Sequence, residues 1–361
     1  MEINIKRDEL LKTMAVVEKA IAKQTTIPAI QGMYLEATID ELVLVANNLG
    51  LAIKGSTPAE IIEIGKVVVP SKFCEIIRNL QEDIHITVKD ERASILSGQS
   101  VFQLNCMNAD DFPIFSKEQE SWETVTFKDG ELKKVLSKVL FAVSQDPGRP
   151  VFTGVKISMI GGKFSAIATD TYRMAEFSTS VENEKDFQMI VPGVALNQIH
   201  KALSDGGEEA KFFFSDKELL VKYKQFTFRL PLIEGSFPNT DSIWPQSNKT
   251  SISVEPGLIS QVINRASLLA AGERKMVTLS INNKVKVTTA SETGKTSEVI
   301  DGVEKSGEEL ECVYLNAGFL QDGIKALNNK EKINISFNGQ YGPCVFTGEN
   351  YRYLVLPIRI N

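Results

Sequence analysis

A motif that returns three times at nearly equal spacing constrains this chain most. Residues 67–80 (VVVPSKFCEIIRNL), 190–203 (IVPGVALNQIHKAL) and 313–327 (VYLNAGFLQDGIKAL) share one pattern. Each runs from a β-branched stretch, through a Pro or small-residue break, into a helical pattern that ends in Leu. The closing leucines, Leu80, Leu203 and Leu327, lie 123 and 124 residues apart. A period near one third of 361 residues predicts three copies of one domain, because a constant period marks a repeated architecture. A chain this long also exceeds what one core usually supports. The expected domains are 1–120, 121–246 and 247–361.

The three parts share one order of elements. In the first, Ile3-Asn4-Ile5 alternates as an edge strand, and Asp8 is the expected N-cap of a helix. Leu10, Leu11, Met14, Val17 and Ile21 then recur at helical spacing. Strands are expected over 33–38, 41–46, 52–55, 67–69, 84–88, 93–96 and 101–106. A linker follows at 108–115 (NADDFPIF). The second part repeats this with strands at 125–127, 155–159, 163–168, 189–191, 211–214, 218–223 and 226–231. Its Phe237-Pro238 loop lies 125 residues beyond Phe112-Pro113. The third part runs from a strand at 252–254 and a helix through strands up to Ile300, then the third copy of the motif and strands to Ile360. Helices are expected over 9–22, 71–80, 131–143, 193–203, 257–270 and 317–327. Each half-pattern pairs one helical stripe with several half-buried strands, which places helices on one face of antiparallel sheet. The fold class is therefore α+β, with three such domains laid in an arc.

Composition removes several alternatives. The chain is 43% apolar and 24% charged, as ordinary globular proteins are. Its start, MEINIKRDELLKTM, carries charges where a secretion signal needs an apolar core. No window reaches the roughly 20 apolar residues of a membrane span. Cys74, Cys106, Cys312 and Cys344 lie far apart and read as reduced thiols in the cytoplasm. His85 and His200 are the only histidines, one in a strand pattern and one in a helix. Gly161-Gly162-Lys163 is followed by Phe164, where a phosphate loop needs Ser or Thr. No HExxH, GxSxG, GxGxxG or metal-spaced Cys/His cluster occurs, so no metal, cofactor or catalytic residue is expected.

The charge is unevenly distributed. The six predicted helices hold ten basic residues (Lys12, Lys19, Lys72, Arg78, Lys133, Lys134, Lys138, Lys201, Arg265 and Lys325) against five acidic ones. That is a surplus of five, so the remainder of a chain with net charge −6 carries −11. Lysines on solvated helix faces explain a bias in any one helix. The same bias in six helices on one surface is an electrostatic footprint for a polyanion.

At residues 168–175 (ATDTYRMA) the chain resembles a known family, the bacterial DNA sliding clamp, or β subunit of DNA polymerase III. Phe237-Pro238, the C-terminal YLVLPIRIN and the three-part layout carry the same resemblance over the whole length. It implies a non-catalytic processivity factor: a head-to-tail homodimer whose two chains close a ring around duplex DNA. Helices would line the hole, with Lys23 and Arg149 joining the helix cations at the DNA. Loose, sequence-blind phosphate contacts would let the ring slide.

The resemblance further implies a groove that binds short peptides of polymerases, the clamp loader and repair proteins. Its lining would be Phe152, Thr169, Thr171, Tyr172, Arg173, Met174, Pro238, Ile243, Tyr341, Pro343, Leu354, Leu356, Pro357, Ile358 and Arg359, with arginines at the rim. Thr171-Tyr172 stand where the family commonly has Gly-His, Ser242 where some relatives have Arg, and Asn316 where the other two copies have Pro. The implied ring-closing interface sets Lys72, Phe73 and Leu104 against Leu268 and Leu269. A peptide-binding scaffold that never encircles DNA is the rival reading. An enzyme using the groove near Met174 is a third.

Overall fold

Apolar spacing places the helices well. A computed structural model describes residues 1–114, 122–180, 186–270, 272, 275–327 and 331–360. Among them are six α-helices: α1 (Arg7–Val17), α2 (Lys72–Asn79), α3 (Asp129–Val139), α4 (Gly193–Ala202), α5 (Pro256–Ser267) and α6 (Ala317–Ala326). Both α1 and α3 stop earlier than expected and tighten into one 3-10 turn, Glu18–Ala20 and Leu140–Ala142. Asp8 is not the N-cap of α1. Lys6 holds that position, Asp8 sits in the first turn, and the free Arg7 N–H donates to Asp83 from 76 residues away.

Every strand pairing among the described residues is antiparallel, and the strands form four open sheets. The chain divides into two compact units that cut across the sequence repeat: Met1–Lys133 with Val194–Leu232, and Lys134–Gly193 with Ile233–Asn361. The expected boundary at residue 120, the last linker residue Phe115 and the terminal Asn361 lie outside the described residues.

The first unit contains an eight-stranded sheet. Its order is Glu123–Lys128, Glu209–Phe214, Glu218–Tyr223, Phe226–Pro231, Ala52–Pro58, Glu41–Asn47, Gly32–Ala37 and Gly65–Pro70. Two sequence copies are thus fused where Phe226–Pro231 pairs with Ala52–Pro58. Glycine is required at that seam: a Cβ on Gly55 would lie 2.8 Å from Thr13 of α1 and 3.0 Å from Phe226. A second sheet runs Glu60–Glu63, Glu2–Ile5, Ile84–Lys89, Arg92–Ser97 and Ser100–Asn105. Helix α1 packs on α2, and Arg78 pairs with Glu18 to tie them.

At the start of α3, Asp129 has no exposed surface. Its carboxylate accepts bonds from Ser204 Oγ at 2.8 Å, Tyr223 OH at 2.9 Å and the amides of Gly130, Gly206 and Gly207. Burial alone pushes its pKa up. The hydrogen bonds outweigh that and hold the group well below the usual carboxylate range.

The second unit contains a nine-stranded sheet. Its order is Phe187–Pro192, Gly154–Ile160, Lys163–Thr169, Arg173–Ser180, Tyr351–Val355, Cys344–Gly348, Ile333–Phe337, Thr250–Val254 and Glu304–Gly307. The four-stranded sheet runs Gly294–Ile300, Val285–Ser291, Met276–Ile281 and Leu310–Asn316. Helices α5 and α6 lie side by side, joined by two bonds between Ser260 and Gln321. Helix α6 approaches the large sheet closely: a Cβ on Gly323 would lie 2.7 Å from the Tyr353 ring. All four cysteines are free, and burial pushes the Cys74 thiol up to about 12.

Three strands escape the pattern reading, Glu60–Glu63, Arg173–Ser180 and Glu304–Gly307. The second is the one on which the candidate site is built.

Candidate functional site

Arg173–Ser180 pairs with Tyr351–Val355 in the register Met174 to Leu354 and Glu176 to Arg352. Residues opposed across antiparallel strands share a face, and alternate residues change face. Met174, Glu176, Leu354 and Arg352 therefore lie on one side of the sheet. Arg173, Ala175, Phe177, Tyr351 and Tyr353 lie on the other.

On the first side an apolar cluster forms from Met174, Leu354, Ile167, Ile190, Val345, Phe237 and Trp244, flanked by Val151 and Ile233. Met174 and Leu354 are both 2% exposed and make its floor. Phe152 stands edge-on to Phe237 with ring centroids 6.1 Å apart. Close to cluster members in the chain, Tyr172, Ile243 and Leu356 are exposed side chains that would ordinarily be buried, and Tyr341 is exposed as well. Thr171, Pro238 and Arg359 are also exposed, whereas Pro343, Pro357 and Ile358 are half-buried. Exposed apolar side chains beside a well-packed cluster are what a candidate binding surface requires.

Local geometry explains the turn that presents this rim. Asp170 accepts from the amides of Tyr172 and Arg173, each at 3.0 Å. Buried Thr169 accepts from the Thr171 amide at 3.1 Å and donates to the Arg173 carbonyl at 2.7 Å. Thr171 thereby adopts φ +77°, a left-handed conformation that glycine occupies at no steric cost. The C-terminal segment is held beside it by Leu356 N–H to the Tyr172 carbonyl at 2.9 Å and Ile358 N–H to the Tyr314 carbonyl at 2.7 Å.

Arg173 corrects one expectation. It does not rim the groove, because its side chain leaves the strand on the helix-covered side. There it donates to Asp170 at 2.9 Å, to Asp322 of α6 and to the Phe141 carbonyl at 2.6 Å, with its guanidinium 4.3 Å from the Phe319 ring centroid. The pattern reading also missed floor residues. Ile167, Ile190, Val345, Phe237 and Trp244 look like ordinary core positions, and only the register brings them under Met174. The Glu176–Arg352 pair was missed for the same reason.

The expected cations divide by environment. Lys138 is another correction: it is 8% exposed, donates to the Ala326 carbonyl at 2.8 Å and lies over the Tyr351 ring. Lys12 pairs with Glu9, Lys19 and Arg78 with Glu18, Lys72 with Glu75, Lys133 with Asp205 and Arg265 with Glu298. Lys23, Lys134, Arg149, Lys201 and Lys325 are exposed and make no ion pair among the described residues. On the observed boundaries the helices carry ten basic and six acidic residues. His200 reports the field locally: burial, then Lys133 and Lys201, hold its pKa below the ordinary histidine value.

Among the implied interface residues, Phe73 is fully buried in the first unit and cannot present a docking surface. Lys72 is exposed and Leu104 half-buried. Leu268, just past α5, is 81% exposed. Leu269 is half-buried, its side chain close to Gly294. Among the described residues no group of three or more His, Cys, Asp or Glu could hold a metal, and no helix is long and apolar enough to cross a membrane.

Comparison with known proteins accounts for the whole chain. Residues 1–116 match the N-terminal domain of the DNA polymerase III beta subunit, 126–239 its central domain and 241–359 its C-terminal domain. The beta sliding clamp of Staphylococcus epidermidis is 28% identical over 99% of both chains, and that of Staphylococcus aureus 29% over the same share. A crystal structure of the DNA polymerase sliding clamp from Bacillus subtilis superposes with a TM-score of 0.91 at 29% identity, covering 100% of each chain.

Proposed function

Since the chain belongs to the DNA polymerase III beta-subunit family, we propose that two copies close head to tail into a ring that encircles duplex DNA. It is a sliding clamp, a non-catalytic processivity factor of DNA replication. The observation that carries this reading is the match of all three family domains, in order, along one chain. The three domains would end near residues 120 and 246, and the protein would work in the cytoplasm.

The cations without ion pairs, Lys23, Lys134, Arg149, Lys201 and Lys325, would meet phosphate first. The paired ones would add a field at longer range, weakened by their carboxylates. Few direct contacts suit a ring that must slide, since each neutralised phosphate makes binding tighter and more salt-dependent.

Ring closure would use sheet edges. Ser100–Asn105 ends the five-stranded sheet and exposes Val101 and Phe102; Gly294–Ile300 ends the four-stranded sheet and exposes Val299. Open edges with exposed apolar residues pair readily with another chain. Leu104 lies in the first edge strand and Leu269 comes close to Gly294 of the second, and Lys72 and Leu268 would join them. Polymerases, the clamp loader and repair proteins would be held through short peptides whose apolar side chains enter the groove over Met174 and Leu354.

Nicked circular DNA tests the ring. Protein loaded on the circle should stay bound and be released when the circle is cut open. Equal loss from circular and linear DNA would refute encirclement and favour the scaffold reading. Sedimentation at micromolar concentration should give a dimer.

A further inference from the structure

Within the groove one polar atom has no partner. Trp244 is 6% exposed and belongs to the apolar cluster with Met174 and Leu354, yet its indole Nε1–H meets no acceptor among the described residues. Buried donors are nearly always satisfied in folded proteins, because leaving one unpaired forfeits the hydrogen bond it had with water. The ring is also held in place. Arg352 lies 4.0 Å from its centroid and is itself fixed by Nε and Nη2 bonds of 3.0 and 2.7 Å to Glu176, which is 3% exposed. The register sets this pair directly beside Met174 and Leu354 on the same face. Only Glu176 of this pair is buried, and the half-exposed Arg352 holds it while lying over the indole.

We propose that Trp244 is a specificity-determining residue of the groove, donating its Nε1–H to a carbonyl oxygen, main-chain or side-chain amide, of the bound peptide. This rests on the peptide-binding reading above and deepens it. Methionine, leucine and isoleucine side chains accept many apolar partners with little discrimination, whereas a buried donor rejects ligands that bring no acceptor to it. Arg352 and Glu176 are positioning residues: they fix the indole plane before the ligand arrives, which lowers the ordering cost of binding. The exposed neighbour Ile243 would turn aside to admit the carbonyl.

The test uses the full-length protein and a fluorescent peptide copied from a polymerase tail. Trp244→Phe keeps the apolar ring and removes the donor. The expected result is a Kd about ten-fold weaker, equivalent to about 1.4 kcal/mol, with folding stability unchanged or improved. Equal affinity for Trp244→Phe and the parent protein would overturn the assignment. A second measurement leaves Trp244 in place. In a Trp122→Phe protein the indole Hε1 resonance of Trp244 should move downfield on peptide addition, and an unmoved resonance with peptide bound overturns the proposal. If the parent protein binds no peptide at all, the groove reading fails and takes this inference with it.

Discussion

Arg173 and Met174 are adjacent in the chain and face opposite sides of one strand. Met174 enters the apolar floor, and Arg173 reaches Asp170, Asp322 and the Phe141 carbonyl behind it. One residue therefore belongs to the apolar cluster beneath the proposed groove, and its neighbour to the polar frame behind it.

Their substitutions should separate cleanly. Arg173→Leu removes the shared partner of Asp170 and Asp322 in a partly buried charge network and should destabilise the protein by about 1–3 kcal/mol, seen as a lower urea midpoint. Leu356→Ala, at an exposed rim position, should leave that midpoint in place and weaken peptide binding. Adding Met174→Ala should abolish peptide binding while the dimer persists. Intact peptide affinity in the double variant would remove the groove from consideration.

DNA retention should track the environments of the lysines. Lys134→Glu with Lys201→Glu should shorten residence on nicked circles. The slope of log affinity against log salt should fall by about 0.9 for each phosphate that is no longer neutralised. Lys138→Glu should instead lower the Tm, because it puts a carboxylate against the Ala326 carbonyl and the Tyr351 ring. A Lys138→Glu protein with normal stability would contradict its buried placement.

Asp129 should make stability depend on acid pH. Its folded pKa is depressed, so its contribution is present in full above the unfolded value of about 3.9 and is lost as pH falls through the folded one. Asp129→Asn should therefore lower the Tm most near neutral pH, and the difference from the parent should shrink below about pH 4. A difference independent of pH would mean that the carboxylate charge is not what the Ser204, Tyr223 and glycine donors recognise.

The sheet edges carry the last prediction. Val101→Lys with Phe102→Glu should convert the dimer to monomer by placing charge on an exposed edge strand. Light scattering reads the result directly. Persistence of the dimer would place the interface elsewhere.

How far the sequence reached can be judged from single elements. Leu10, Met14 and Val17 place α1 because helical periodicity is a local property, and the same holds for the other five helices. The α1 cap was invisible, since its partner Asp83 is distant in sequence. Residues 173–180 (RMAEFSTS) do not alternate, because both faces of that strand are covered and the two charges it buries are neutralised by Asp322 and Arg352 from the C-terminal part. Met174 and Leu354 could be named from the family resemblance. Their packing with Ile167, Ile190, Val345, Phe237 and Trp244, and the inward placement of Arg173, Lys138 and Phe73, could not.

By itself, the sequence determined the threefold repeat, the placement of the six helices and most of the strands between them, the lack of catalytic motifs and the surplus of cations on helices. All of these follow from periodicity and residue type along the chain. The tertiary structure decided which strands pair across the copies, as in Phe226–Pro231 with Ala52–Pro58 and Arg173–Ser180 with Tyr351–Val355. It also decided which side chains face out, and which lysines are drawn into ion pairs among the described residues. Those outcomes depend on register between distant segments, where a shift of one residue exchanges the two faces of a strand.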